Sequence, residues 1–90
     1  MENETKTARI NAGYIITDSI HIGDTEFVFG RSAGEYPMFV TWQYANGTYY
    51  WGHYFSELLE AKRDLLERAG AELERLRRYS TPREENAESE

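Results

Sequence analysis

The sequence predicts an α+β fold: a four-stranded antiparallel meander sheet packed on one face by a long C-terminal helix. Three observations predict it. Residues 14–55 contain runs that alternate with period two. Gly23-Asp24 and Asn46-Gly47 punctuate those runs as two-residue hairpin loops. Residues 56–79 then change to apolar spacings of three and four.

The first strand is GYIITDSIHI. Tyr14, Ile16, Ile20 and Ile22 fall on one side, and Ile15, Thr17, Ser19 and His21 on the other. Gly at the first loop position of Gly23-Asp24 suits a type II′ turn. That loop sets Ile22 opposite Thr25, Ile20 opposite Phe27 and Asp18 opposite Phe29, so the apolar sides coincide. If Ala33-Gly34 is the next loop, Phe29 faces Met38 and Phe27 faces Val40; Pro37 limits pairing at that corner. Asn46-Gly47 is a type I′ signal, which sets Tyr44 opposite Tyr49, Trp42 opposite Trp51 and Val40 opposite His53. One face then carries Phe27, Phe29, Val40, Trp42 and Trp51 and needs a cover.

SELLEAKRDLLERAGAELERLRRY supplies the cover. Ser56 is suited to the N-cap, and Glu57 favours the positive end of the helix dipole. Leu58, Ala61, Leu65, Ala69, Leu73 and Leu76 form the buried stripe, which Leu59 and Leu66 widen. Arg63–Glu67, Asp64–Arg68 and Glu74–Arg78 are i,i+4 pairs expected on the exposed side. Gly70 is the weak point, a place to kink, to approach the sheet closely, or to end the helix. At 1.5 Å per residue the helix runs about 34 Å, against about 23 Å for a seven-residue strand. Leu73 and Leu76 are therefore expected to overhang the sheet, where a second subunit is the simplest cover.

The chain has 90 residues, which make one domain over residues 9–79. Residues 1–8 read as a flexible N-terminus and residues 80–90 as a disordered acidic tail. Residues 9–80 hold eight Lys or Arg and ten Asp or Glu, so most of the net charge of -6 lies at the ends. The one basic cluster, RLRR (Arg75 to Arg78), suits a helix C-terminus, and direct nucleic-acid binding is not expected. There is no cysteine, no apolar leader and no apolar run near 20 residues. The expectation is a cytoplasmic protein with no membrane span and no thiolate metal site.

Motifs for chemistry are sparse. His53 and His21 fall on opposite faces, too few and too far apart to make a zinc site. Ser19, Ser32 and Ser56 lack a nucleophile elbow, and GRSAG lacks the lysine of a phosphate loop. Asp18 would sit opposite Phe29, where burial would raise its pKa, unless a β-bulge at Thr17-Asp18-Ser19 turns it outward. No cofactor is called for.

The reverse face reads as an interface. Val28, Phe39 and Tyr54 lie side by side there with Tyr50 beyond, inside a border of Ile15, Thr17, Ser19, His21 and Glu26. Four occupants are conceivable: a second copy, a different protein, a stacked nucleic-acid strand, or the chain's own C-terminal segment.

The segment YYWGHYFSELLEAKRDLLERA, Tyr49 to Ala69, resembles short proteins encoded on mobile elements of Gram-positive gut bacteria. In these a Trp-Gly-His-Tyr-Phe strand end leads into a helix containing Glu-Ala. The resemblance covers about a quarter of the chain. It implies a bacterial cytoplasm and an accessory, regulatory or anti-defence binding protein, and it implies no activity.

The sequence thus predicts a non-enzymatic protein-binding or accessory protein. It is expected to be a homodimer, through the apolar sheet face or the helix end, at Val28, Phe39, Tyr50, Tyr54, Leu73 and Leu76. A heterologous protein is the other partner. The alternatives are an acidic anti-defence or DNA-mimic protein and a small enzyme using Asp18 or His53.

Overall fold

A short hairpin precedes the sheet that the sequence predicts. The computed structural model of the protein describes residues 8–34 and 36–80. Its elements are β1 (Arg9–Asn11), β2 (Tyr14–Ile22), β3 (Thr25–Arg31), β4 (Phe39–Ala45), β5 (Thr48–Phe55) and α1 (Leu58–Ser80). The sheet has five strands in the order β1-β2-β3-β4-β5, each antiparallel to its neighbour. The fifth strand corrects the expected four. Ala12 and Gly13 both take positive φ, 52° and 86°, and turn the chain from β1 into β2. Three residues are too few to display an alternation. The expected N-terminus and acidic tail lie outside the described residues, apart from Ala8 and Ser80; α1 includes Ser80.

The β2–β3 register is as the Gly23-Asp24 turn predicts, with Ile22 opposite Thr25, Ile20 opposite Phe27 and Asp18 opposite Phe29. A bulge then falls between Ile16 and Asp18. It inserts one residue and moves Tyr14 and Ile16 to the other face of the sheet. The β3–β4 register differs from expectation. Ser32 donates its N–H to the carbonyl of Met38 at 2.8 Å, which closes a link wider than two residues. Phe29 therefore faces Thr41 instead of Met38, and Phe27 faces Gln43. The shift is odd, so every side chain of β4 changes face. Asn46-Gly47 pairs Tyr44 with Tyr49 as predicted. A second bulge at Trp51 then sets Thr41 opposite His53 and Phe39 opposite Phe55.

Two cores result. Phe27 and Phe29 pack against Ala61, Leu65 and Ala69 of α1, with Ile20, Ile22, Phe39 and Phe55 around them. The alanines let the helix lie close to the sheet, and Gly70 plays no part there. The helix runs unbroken past Gly70, and a Cβ at that position would meet nothing within 4 Å. On the reverse side, Tyr14, Val28, Val40 and Trp42 form a second buried cluster, with Ile16 and Tyr49 against it. No helix covers that side. The sheet curls over it: the ring of Tyr14 on β2 reaches those of Trp42 and Tyr54 at 5.8 and 5.9 Å. Arg9 on β1 bonds Glu26 of β3 at 2.7 Å and the Tyr49 hydroxyl of β5 at 3.0 Å, tying the first strand to the last.

Gly52 makes the curl possible. A Cβ there would lie 2.7 Å from Trp42 Nε1 and 2.9 Å from the Tyr54 ring and hydroxyl. The two rings close over bare backbone.

Candidate protein-docking surface

Apolar surface is left open at the sheet edges, where Ile10 and Trp51 are exposed, and along the helix. Leu59, Leu66 and Leu73 are 78%, 64% and 48% exposed. Seven residues make about two turns, so the three leucines stand in one row. They flank the buried arc of Ala61, Leu65 and Ala69. They stand about 10.5 Å apart along the axis, with Arg63 and Gly70 between them. Exposed leucines taken singly are ordinary, and it is their alignment that makes this flank a candidate surface. On the side away from the sheet the charges pair within the helix: Arg63 lies 3.7 Å from both Glu60 and Glu67, and Arg77 lies 3.1 Å from Glu74.

Between this row and β2 runs a shallow groove. One depression, of about 400 Å³, is lined by Ile20, Leu65 and Leu66. The next, of about 380 Å³, is lined by Phe29, Arg31, Phe39 and Leu58. Both include Asp18 and Lys62, whose 3.2 Å ion pair bridges the groove. The Lys62 ammonium also lies 4.7 Å from the centre of the Phe29 ring. The Asp18 carboxylate accepts from Thr17 at 2.7 Å. That bond, with the Lys62 pair, outweighs burial and holds Asp18 below its ordinary pKa. Asp18 stays on the helix side despite the bulge, and as a stabilised anion it is no raised-pKa acid.

The other flank of the helix carries a polar network. Thr41 is fully buried; its hydroxyl donates to Asp64 and accepts from Arg68 Nη1 at 2.9 Å. Arg68 also donates to the carbonyls of Thr41 at 3.1 Å and Trp51 at 2.8 Å. Burial, opposed by the charge of Asp64, lowers the Arg68 pKa. His53 Nδ1 lies 2.9 Å from Asp64. The carboxylate holds the imidazole by that nitrogen, and the side chain is half exposed. A positioned His–Asp pair can relay a proton. No described serine or threonine hydroxyl forms a hydrogen bond with His53, and no depression described above includes it. The network joins the helix to β4 and β5. It satisfies the carbonyl freed by the β5 bulge, where Trp51 takes a φ of 48° and turns its indole outward beside Tyr50.

The expected interface residues separate. Val28 is fully buried in the concave cluster, and Phe39 packs on the opposite face under α1. They cannot share an open patch, because the β3–β4 shift puts them on different sides. Tyr54 stands half exposed at the rim of the curl, and Tyr50 lies beside Trp51 on β5. Leu73 is exposed as expected. Leu76 is only partly so, because its Cδ1 lies against Gly23 in the β2–β3 turn. Asp64 and Arg68, expected to lace the outer side, face inward. Their signal was placement beside Ala61 and Leu65, at the border of the buried arc. In RLRR, Arg75 and Arg77 pair with Glu72 and Glu74, three residues back.

Among the described residues no group of three or more His, Cys, Asp or Glu could hold a metal ion, and no helix is long and apolar enough to cross a membrane. No protein family matches the sequence, and comparison with curated proteins and solved structures finds no significant similarity.

Proposed function

We propose that the protein is a non-enzymatic binding module that docks another polypeptide on the outer flank of α1. The row of Leu59, Leu66 and Leu73 carries this reading. These leucines are large, aligned and exposed, and nothing in the described fold covers them. Burying a leucine side chain is worth about 1.5–3 kcal/mol. A partner that covers the row therefore gains what folding leaves unused. The groove beside the row, with Leu58 and the Asp18–Lys62 bridge, extends the surface toward β2.

A phosphate-mimicking surface has less support. Such a surface needs free carboxylates in rows. Here Glu26, Asp18, Glu60, Glu67, Glu72 and Glu74 each stand in an ion pair with a Lys or Arg.

The test compares capture by the tagged protein and by a Leu59→Ser, Leu66→Ser, Leu73→Ser variant, in cells that express the protein naturally. A polypeptide retained by the first and lost by the folded variant supports the reading. A partner held equally by both places docking elsewhere and overturns it.

A further inference from the structure

We infer that the polypeptide docked on the leucine row is a second copy of this chain, its helix antiparallel to the first. The inference rests on the docking reading and adds the partner and its register.

The contact row is Leu59, Arg63, Leu66, Gly70, Leu73 and Arg77, spaced alternately by four and three residues. This is the spacing of a seam between two helices. A two-fold axis at the level of Arg68 sets Leu66 opposite the partner's Gly70. It sets Leu59 opposite the partner's Arg77 and Leu73 opposite the partner's Arg63. Each leucine then meets a position that can receive it. Gly70 is exposed, and space for a Cβ is empty around it, so the leucine seats against backbone. The two arginines offer their aliphatic stems, as long cationic side chains do over apolar surface.

Charge favours one direction, with Arg63 and Arg77 sharing their intrahelical carboxylates with the partner. In this register Arg63 lies at the level of the partner's Glu74, and Arg77 at the level of the partner's Glu60. The symmetry makes four cross pairs. A parallel pairing in register would instead bring Arg63 to Arg63 and Arg77 to Arg77. The helices, about 34 Å long, overlap over almost their whole length when antiparallel about Arg68. The row lies on the flank of the helix, outside the buried arc of Ala61, Leu65 and Ala69, where its leucines are exposed. Gly70 also gains a reason to be there: within one chain it weakens the helix and packs on nothing.

Sedimentation equilibrium on the full chain tests this, with circular dichroism to confirm each fold. The wild type is expected to approach twice the 10.5 kDa of one chain as its concentration rises. Arg63→Glu or Glu74→Arg alone should weaken association roughly tenfold or more, since each swap sets like charges together twice. The double swap should restore it. Arg63 and Glu74 lie about 16 Å apart along one helix, so they cannot repair each other within a chain. A wild type that stays monomeric overturns the inference, as does a dimer that the double swap fails to rescue. If the wild type stays monomeric while a different protein is captured and then lost on the three serine substitutions, the homodimer is wrong and the docking reading stands.

Discussion

Arg68 donates from Nη2 to the carbonyl of Trp51 at 2.8 Å, and this bond ties the helix to the bulge in β5. The same guanidinium bonds the carbonyl and hydroxyl of Thr41. One side chain thus satisfies three acceptors where two strands fall out of register. Arg68→Met keeps the length and removes the donors. It should lower stability by about 2–4 kcal/mol, since buried acceptors and Asp64 lose their partner. Urea denaturation checks this. His53→Ala, at the half-exposed edge of the same network, should cost less than half as much.

Two glycines should respond with opposite sign. Gly70→Ala adds a methyl group to open space on a helix and should stabilise the isolated domain by about 0.5–1 kcal/mol. Gly52→Ala forces its methyl group into Trp42 and Tyr54 and should destabilise by about 1–3 kcal/mol. Thermal melts of the two variants, read below the association range, compare them directly.

Acid should weaken the fold through Glu26. Burial raises its pKa, but the hydrogen bond and charge of Arg9 outweigh that and leave it below the ordinary value. A carboxylate whose folded pKa is depressed stabilises fully above its unfolded pKa, and that contribution disappears as pH falls through the folded value. Asp18, lowered by Thr17 and then Lys62 against opposing burial, acts in the same direction. The urea midpoint should therefore drop as pH falls below about 4. Glu26→Gln should be less stable than wild type at neutral pH and show a shallower decline in acid.

Leu66→Asp separates docking from folding. Leu66 is mostly exposed, so the thermal stability of the isolated domain should change by no more than about 0.5 kcal/mol. Association through the helix should be lost. Light scattering over a concentration series, with a melt of the same sample, checks both halves.

Much of the architecture was legible because hairpin chemistry is local. Gly23-Asp24 and Asn46-Gly47 fix their own registers, and the helix follows from its spacing. What the sequence concealed is parity. The wide Ser32–Met38 link shifts β4 by an odd number, and the bulge at Trp51 shifts β5 again. The two changes cancel beyond Trp51, so His53 and Phe55 lie on the predicted face while Val40, Trp42 and Tyr49 do not. The consecutive apolar residues Phe27, Val28 and Phe29 held the one hint that both faces of β3 are buried. The candidate site was legible only in part. The helix length predicts an open Leu73, whereas the spacing counts Leu59 and Leu66 toward a widened core. A 3.6-residue wheel gives the row but not the width of the buried arc. Among the described residues of the helix, only Ala61, Leu65 and Ala69 are buried, and Leu59 and Leu66 fall outside that arc.

Photo-crosslinking from position 66 tests docking on the helix most directly. Benzoylphenylalanine replaces Leu66 in one sample and Thr48, at the exposed tip of the β4–β5 hairpin, in a control. The docking account predicts a covalent adduct from position 66 and none from position 48. For the second copy it predicts an adduct of twice the chain mass whose cross-linked peptide lies near Gly70. No adduct from position 66, or an equal yield from position 48, would contradict docking on α1.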